Sequence, residues 1–159
     1  MVAVVVRPMQ SGDRDAIIDL QWALNLFENA ISCDRVTDRI SAIACVDSNL
    51  EQTRTLGGAT LVAEVNGKIV GCLSLCFAVS SNFVRPELRR HGYVQDIIVE
   101  PELRGQGIAQ LLLQEAEMIT RAEGLASLSL GMLSGNGIAE RAYLRFGFKP
   151  ESVTMVKLL

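Results

Sequence analysis

The sequence is poor in the residues that build metal sites and disulfide frameworks. Its 159 residues contain one histidine and four cysteines, and no two of the cysteines form a Cys-x-x-Cys pair. The histidine, His91, lies well away from every cysteine in sequence, so zinc-site spacing is absent. Cys72 and Cys76 lie four residues apart in a predicted strand, where they would share a face and fill core. We therefore expect reduced, structural cysteines and no bound metal.

Long apolar runs and an excess of basic residues are also missing. No stretch reaches the roughly 20 apolar residues of a membrane-spanning helix, and residues 1–6 are too short for a signal peptide. We therefore expect a cytoplasmic protein with no membrane partner. The formal net charge of −3 argues against nucleic acid as a partner. With 49% hydrophobic and 21% charged residues, the chain is typical of a globular protein, and its length predicts one domain over residues 1–159.

What the sequence does contain is a glycine-rich link between a predicted strand and a predicted helix. Residues 93–99 are rich in β-branched and aromatic side chains and precede Pro101, which predicts a buried strand. Apolar residues then recur at helical spacing from Ile108 until Gly124 ends the helix. The intervening loop, 104–109, reads RGQGIA. Its small residues let a ligand approach the backbone, and the free N–H groups of the first helical turn suit a phosphate or pyrophosphate. Alone, such a loop is equally compatible with a plain strand-to-helix turn.

The remaining segments predict a mixed α/β architecture. A first strand at 2–6 precedes a helix capped by Ser11 or Asp13, and a second helix is predicted at 34–53. Strands at 60–65 and 68–77 flank Asn66-Gly67, a strong hairpin signal. The order ends with a strand at 125–133, a short helix at 136–146 and a last strand at 152–158. Between the hairpin and the central strand, the polar loop 80–90 and His91 form a basic cluster that either attracts an anion or is simply solvated.

Two motifs, in this order, resemble those of the GNAT superfamily, the acyl-CoA N-acyltransferases. The loop 104–109 matches the Arg/Gln-x-x-Gly-x-Gly/Ala signature and follows the usual lead-in at 99–103. The second motif, Asn-x-x-Ala-x-x-x-Tyr-x-x-x-Gly-Phe, is matched by Asn136, Ala139, Tyr143, Gly147 and Phe148. The predicted order of elements also agrees with that family. The resemblance implies an α/β GNAT fold, with a mixed central sheet of six to seven strands and helices on both faces.

The resemblance further implies transfer of an acetyl group from acetyl-CoA to a primary amine, by direct attack in a ternary complex. The backbone N–H groups of the loop would surround the pyrophosphate, and Gly107 and Ala109 must stay small to leave it room. The implied cofactor-binding residues are Ile98, Val99, Arg104, Gly105, Gln106, Gly107, Ile108, Ala109, Asn136 and Tyr143. Arg104 would add charge, and the backbone of Ile98 and Val99 would pair with pantetheine where the strands splay apart.

Two side chains of the second motif have alternative interpretations. Tyr143 occupies the position of the family tyrosine that protonates the departing thiolate, although it is also spaced to pack on the inner face of its helix. Asn136 would hydrogen-bond the CoA arm, or serve as a plain helix N-cap, or do both. A covalent acetyl-cysteine route is disfavoured because no cysteine lies near the motif.

Asp96 is a carboxylate within an otherwise apolar strand, where burial costs several kcal/mol without a compensating partner. Strand alternation predicts that it shares a face with Val94 and Ile98 and lines the cleft where the strands part. The resemblance implies a catalytic role, in which the carboxylate anchors the amine or takes its proton. The rival interpretation is a structural ion pair, for instance with an arginine of the loop 85–90.

The acceptor remains open between several classes. A small-molecule amine is favoured, and a protein N-terminus or lysine and a non-catalytic CoA-binding module are the alternatives. Acidic residues in the N-terminal helices either suit a cationic acceptor or are solvated helix faces; they are Asp13, Asp15, Asp19, Glu28, Asp34 and Asp38. A homodimer is expected from the habit of the superfamily. A Rossmann-type dinucleotide binder is disfavoured, because its Gly-x-Gly-x-x-Gly fingerprint would follow the first strand and position 110 is Gln.

Overall fold

One mixed sheet of five strands organises the chain, in a computed structural model that describes residues 3–159. The strands lie in the order β1-β2-β3-β4-β5, and every neighbouring pair is antiparallel except the parallel pair β4 and β5. Their bounds are β1 Val4–Pro8, β2 Gly58–Val65, β3 Lys68–Val79, β4 Arg90–Val99 and β5 Leu128–Leu130. The helices are α1 Arg14–Ser32, α2 Arg39–Leu56, α3 Pro86–Arg89, α4 Ile108–Ala122 and α5 Gly137–Phe146. Short 3-10 turns at Ser11–Asp13 and Pro101–Leu103 precede α1 and α4.

The sheet carries an apolar core on each of its two faces. On one face α4 packs against the strands around Leu61 and Leu73, and on the other α1 and α2 pack around Val62 and Cys72. Neighbouring residues of a strand thus enter opposite cores, as the alternation of side chains in a strand requires. This arrangement confirms the predicted α/β fold with helices on both faces.

Local signals in the sequence account for several boundaries. Asn66 and Gly67 have φ values of 51° and 79°, so both turn residues of the predicted hairpin adopt positive φ. The second helix begins at Arg39 and not at 34, because Asp38 caps it and accepts a hydrogen bond from the Ser41 N–H at 2.8 Å. It ends at Leu56, before Gly57 with φ 83°.

The predicted sheet of six to seven strands is wrong in number, since residues 3–159 form five. The segment 152–158 is exposed throughout and pairs with no strand of residues 3–159, so the last predicted strand is wrong. The strand predicted at 125–133 is reduced to β5, only three residues long. The first strand is described from Val4 to Pro8, and the predicted start at Val2 lies outside the described residues.

Basic side chains of the cluster at 80–91 bond to other groups of the protein. The loop contains the single-turn helix α3, and Arg89 donates hydrogen bonds to the carbonyl oxygens of Val84 and Asn82. Arg90 forms an ion pair with Glu123 at 2.9 Å. The interpretation as a solvated, internally bonded loop therefore fits this segment better than an anion site.

The cysteines are free, and Cys72 and Cys76 are buried in the sheet. Burial raises the pKa of the Cys72 thiol to about 12, so this side chain is an inert core residue. Within residues 3–159 no group of three or more His, Cys, Asp or Glu side chains is arranged to hold a metal ion. In the same range, no helix combines the length and apolar character that crossing a bilayer requires.

Candidate active site

A cleft opens where β4 and β5 part. The two strands pair only through Gly92, Tyr93 and Val94, whereas β4 continues to Val99 without a β5 partner. The space between them is a cleft of about 260 Å³, bounded by the end of β4, the start of α4, α1 and α5. The backbone of residues 95–99 is therefore exposed to the cleft on one edge, as the splayed strand of the resemblance requires.

The glycine loop forms one end of this cleft. Gly105 and Gly107 have φ values of 76° and 85°, in the left-handed region that favours glycine. A Cβ atom on either residue would meet no protein atom within 4 Å, so the space beside the loop is open. Gly107 is the N-cap of α4 and offers no side-chain cap, which leaves the first N–H groups of α4 without an intrahelical or capping acceptor. This uncapped helix start borders the cleft and suits an anion.

The other loop residues differ in what they present. The side chain of Ile108 is buried in the core, so only its backbone can reach a ligand. Ala109 is partly buried and lines the cleft. Gln106 is exposed and turns its side chain back toward the carbonyl oxygen of Glu102, at 3.5 Å. Its amide N–H is thus the part of Gln106 that the predicted cofactor site would use.

Arg104 connects three walls of the cleft. Its Nε donates a hydrogen bond to the carbonyl oxygen of Val99 at 3.1 Å, and its guanidinium lies 4.9 Å from the centre of the Phe27 ring on α1. The side chains of Ile98 and Val99 enter opposite cores, so both are buried. This part of the cleft wall therefore consists of the β4 backbone and the positively charged side chain of Arg104.

A β-bulge at Gln95 decides which way Asp96 faces. Ser74 pairs with Asp96 while Leu75 pairs with Val94, which leaves Gln95 as an extra residue in β4. Val94 packs in the α4 core, and Asp96 instead faces α2, on the side of Ile98. The predicted shared face is therefore right for Ile98 and wrong for Val94, because the extra residue reverses the alternation.

The partner of Asp96 is an amide and not an arginine. The Asn49 Nδ2 donates to the Asp96 Oδ2 at 2.5 Å, and the Asn49 Oδ1 accepts from the Gln95 Nε2 at 3.3 Å. The proposed ion pair with an arginine of 85–90 is wrong, since Arg89 and Arg90 bond elsewhere and Arg85 lies against Glu87. A neutral partner compensates a buried carboxylate less than a cation would.

Burial sets the protonation of the two titratable groups that the sequence singled out. It raises the pKa of Asp96 to about 6, an effect that the Asn49 hydrogen bond partly offsets and the charge of Glu28 reinforces. Burial likewise raises the pKa of Tyr143 to about 12, with the charges of Glu28 and Asp96 adding to the shift. At neutral pH the tyrosine is therefore protonated, and the carboxyl is mostly ionised yet close to its titration range.

Helix α5 forms the opposite wall and positions two polar residues of the second motif, Asn136 at its N-cap and Tyr143 within it. The Asn136 Oδ1 accepts from the Ala139 N–H at 3.2 Å, so Asn136 is an N-cap that also lines the cleft. Tyr143 contacts the Phe148 ring edge-on, at 6.0 Å between centroids, and also borders the cleft. The capping and packing interpretations are therefore confirmed, and the site roles of the two residues, which both line the cleft, stay predictions.

Sequence reasoning singled out Asp96 but did not assign Glu28 to the site. Glu28 lines the cleft and accepts a hydrogen bond from the Arg35 Nε at 2.9 Å. Glu28 lies four residues after Leu24, on the inward-facing side of α1. An acidic residue at an apolar position of a helical pattern is a sequence signal that could have identified it. The other acids weighed with it lie elsewhere: Asp13 pairs with Arg7, for example, and Asp38 caps α2.

A family model described as "Acetyltransferase (GNAT) family" matches residues 20–148. The chain belongs to this acetyltransferase family. The GNAT match includes the glycine loop, the end of β4 and all of α5, which are elements around the cleft. The Rossmann alternative is wrong, because the glycine loop follows the fourth strand of a largely antiparallel sheet.

Solved structures share the GNAT fold at low sequence identity. A tetramutant of the BH1408 protein from Bacillus halodurans is 17% identical, with a TM-score of 0.82 over 98% of this chain and 99% of that one. The aminoglycoside N-acetyltransferase AAC(6')-Iy in complex with CoA is 15% identical, with a TM-score of 0.73 over 99% and 96% of the two chains. An aminoglycoside 6'-N-acetyltransferase from Acinetobacter haemolyticus is 16% identical, with a TM-score of 0.70 over 98% and 99%. No curated protein sequence matches the chain significantly.

The raised pKa of Asp96 predicts a pH-dependent effect of Asp96→Asn on stability. A carboxyl whose folded-state pKa is about 6, above its ordinary 3.8, stabilises the fold while protonated, and this contribution is lost as the pH rises through 6. The amide stays neutral at every pH. We expect the stability of the variant relative to the wild type to increase by about 2 kcal/mol between pH 4 and pH 8, measured by urea unfolding.

The matched control is Asp47→Asn, on the same helix as Asn49, because the Asp47 side chain is 53% exposed. No comparable change with pH is expected for it. If the difference in stability between Asp96→Asn and the wild type were the same at both pH values, the pKa of Asp96 would not be raised in the folded protein.

Proposed function

We propose that this protein is an N-acetyltransferase that moves an acetyl group from acetyl-CoA to a primary amine, by direct attack of the amine within a ternary complex. One observation carries the proposal: an uncapped helix start at one end of the cleft, with Asp96 and Tyr143 bordering the same cleft. The aminoglycoside acetyltransferase neighbour whose structure contains CoA supports the same ligand class for this fold.

The residues of the cleft fit the parts of acetyl-CoA in turn. The uncapped N–H groups at the start of α4 and the open space beside Gly105 and Gly107 would take the pyrophosphate. Arg104 would add positive charge there. Ile98 and Val99 have no partner in β5, and their backbone would pair with the amides of pantetheine as an added strand does. The proposed reaction uses no metal ion.

Each reacting proton has a candidate group on this chain. The ionised Asp96 would accept a proton from the ammonium form of the acceptor, directly or through water, so that the nitrogen can form its bond to the acyl carbon. A backbone N–H of the β4 segment would polarise the thioester carbonyl. As the carbon–sulfur bond breaks, the protonated Tyr143 would donate its hydroxyl proton to the leaving sulfur, and the nitrogen, which must lose a second proton to become the amide, would return one to the Tyr143 oxygen.

A small cationic amine is the acceptor class that the cleft favours. Two carboxylates, Glu28 and Asp96, border it, and only Glu28 has an arginine partner, Arg35. The cleft is bounded on this side by α1, which suits a small molecule better than an extended peptide. Protein N-terminal or lysine acetylation, and CoA binding without transfer, are the alternatives. A cytoplasmic location and a homodimer are also part of this proposal.

We expect Gly107→Ala to weaken CoA binding about tenfold or more, because a side chain at this position occupies the space beside the free N–H groups and strains the loop. The measurement is isothermal titration with CoA. Gly67→Ala is the matched control: Gly67 has a similar φ of 79° and equally open surroundings, but lies in the hairpin away from the cleft. Equal CoA affinity in both variants and the wild type would remove the loop from the cofactor site.

We expect the wild type to release free thiol from acetyl-CoA in the presence of a panel of small cationic amines, and Tyr143→Phe to lower kcat by about 10²-fold or more. CoA affinity should change little in this variant. Tyr93→Phe, which alters the other tyrosine of the sequence, is the control and should retain activity. CoA binding with no thiol release from any amine or peptide would instead indicate a non-catalytic module, and release with peptides alone would indicate a protein acetyltransferase.

We expect kcat/KM of the wild type to rise with pH through a limb near 6, since Asp96 must be ionised to accept a proton. With the same amine, Asp96→Asn should lose this limb and much of kcat. Ionisation of the amine affects both pH profiles equally, so the difference between the profiles reports Asp96. An unchanged profile with intact kcat would mean that Asp96 is structural.

A further inference from the structure

Helix α2 brings polar side chains against the bulge in β4. Asn49 and Thr53 lie four residues apart, so they are on one face of the helix. The bulge turns two consecutive side chains of β4 toward this face, where both Gln95 and Asp96 bond to α2. Of these four residues, the function proposed above uses Asp96 alone.

The four side chains form a continuous chain of hydrogen bonds. The Thr53 hydroxyl contacts the Gln95 Oε1 at 3.4 Å and the Leu75 carbonyl oxygen at 3.2 Å. The Gln95 Nε2 donates to the Asn49 Oδ1 at 3.3 Å, and the Asn49 Nδ2 donates to the Asp96 Oδ2 at 2.5 Å. The chain therefore connects the bulge to a carboxylate that lines the cleft.

Gln95 determines which end of the Asn49 amide faces Asp96. A side-chain amide has an acceptor oxygen on one side and a donor NH2 group on the other. Because Gln95 donates to the Asn49 oxygen, the Asn49 NH2 group points at the carboxylate. A reversed amide would place the Asn49 oxygen against the Asp96 Oδ2, and two acceptors repel each other. The observed orientation therefore supports the ionised form of Asp96, which can only accept.

The two oxygens of the Asp96 carboxylate have different surroundings. Asn49 bonds to Oδ2, whereas no hydrogen bond within residues 3–159 reaches Oδ1. Oδ1 is also not sealed from solvent, since Thr60 Oγ1 is the only fully buried side-chain polar atom of the described chain that lacks a partner. A group that enters the cleft therefore meets one free acceptor on a carboxylate that is held by its other oxygen.

A neutral donor suits a carboxylate that has to accept a proton near neutral pH. An arginine in the place of Asn49 would hold the carboxylate ionised far below neutral pH and make it a weak base. With no donor at all, burial would keep more of it protonated. The amide stabilises the ionised form without adding a charge, and the pKa of Asp96, about 6, lies between these two extremes.

We propose that Asn49 is a positioning residue for Asp96: its amide holds Oδ2, which leaves Oδ1 to take the proton of the acceptor, and Gln95 fixes the amide in that orientation. The catalytic part of this role rests on the proposed function. The bonding part is a property of the folded chain, so the two parts are tested by different measurements.

Other titratable groups also face Asp96. Glu28 on α1 raises the pKa of Asp96, and Arg35, between α1 and α2, lowers it. Cys72 on β3 and Tyr143 on α5 are influenced by the charge of Asp96, but their own pKa values are about 12, so both stay neutral where Asp96 titrates. All four groups are the same in the wild type and in variants at position 49, so a difference between these proteins reports the Asn49 bond.

The first measurement is a direct titration of Asp96 by NMR, which needs no acetyl transfer. The shift of the Asp96 Cγ is followed with pH in protein containing isotope-labelled aspartate, and Asp96→Asn identifies the signal. Asn49→Leu keeps a similar volume but cannot donate, so we expect the pKa of Asp96 to rise by about 1 or more from its value of about 6. An unchanged pKa would overturn the role of Asn49.

Asn25→Leu is the matched control. Asn25 is also a helical amide with a side-chain partner, since its Oδ1 accepts from the Gln21 Nε2 at 3.0 Å, but it makes no bond to Asp96. The pKa of Asp96 should not change in this variant, and an equal rise would overturn the proposal by tracing the effect to the fold. Cooperative urea unfolding confirms that each variant is folded. If Asn49→Leu does not fold, Asn49→Ala, which also lacks the donor, takes its place.

The same titration tests the part assigned to Gln95. Gln95→Met has a side chain of similar length but cannot donate to the Asn49 oxygen, so we expect a smaller rise in the pKa of Asp96. Asn49→Leu and the double variant Asn49→Leu/Gln95→Met should share one pKa for Asp96, because Gln95 acts only through Asn49. A further rise in the double variant would mean that Gln95 acts on Asp96 independently, and would overturn its orienting role.

Steady-state kinetics test the catalytic part. With the same amine, the limb of kcat/KM near 6 should move upward in Asn49→Leu by as much as the pKa of Asp96 does. Activity should fall about tenfold below the limb and nearly recover above it, which a merely structural defect would not produce. A raised NMR pKa with an unmoved kinetic limb would overturn the positioning role in catalysis. No transfer by the wild type would refute the proposed function instead, and the NMR titration would still decide whether Asn49 holds Asp96.

Discussion

The parting of β4 from β5 is the constraint on which the rest of the site depends. Three residues of β4 pair with β5, and the next five do not, so the sheet opens without a break in the strand itself. An unpaired strand edge inside a protein needs another partner for its backbone groups. The cleft that results is bounded by an uncapped helix start, and both features leave N–H and C=O groups available to a ligand.

Polar side chains reach this opening from several separate elements. Asp96 comes from β4, Glu28 from α1 and Tyr143 from α5, while Asn49 reaches the site from α2. None of these side chains is close to another in sequence. Arg104 joins the loop to the end of β4 and to Phe27 of α1, which ties the predicted cofactor side of the cleft to its acceptor side. The domain must therefore fold as a whole before the raised pKa values of Asp96 and Tyr143 exist.

Local patterns were enough to predict most of the elements and the backbone part of the site. Asn66-Gly67 fixed the hairpin and Gly107 the start of α4, because positive φ is a property of the residue and its immediate neighbours. The partner of Asp96 could not be predicted, since Asn49 lies 47 positions away and carries no local signal. The strand predicted at 152–158 shows the same limit: its residues favour a strand, but within residues 3–159 no other strand pairs with them.

The bulge at Gln95 has a consequence for how such a site can change. One additional residue in β4 sends the carboxylate of Asp96 toward α2, while Val94 and Val99 remain in the α4 core. Removing that residue would rotate the preceding stretch of strand by half a turn relative to the rest, and every side chain before it would change sides. A single insertion or deletion in β4 can therefore change which of its side chains face the same way as Asp96, with no exchange of one amino acid for another.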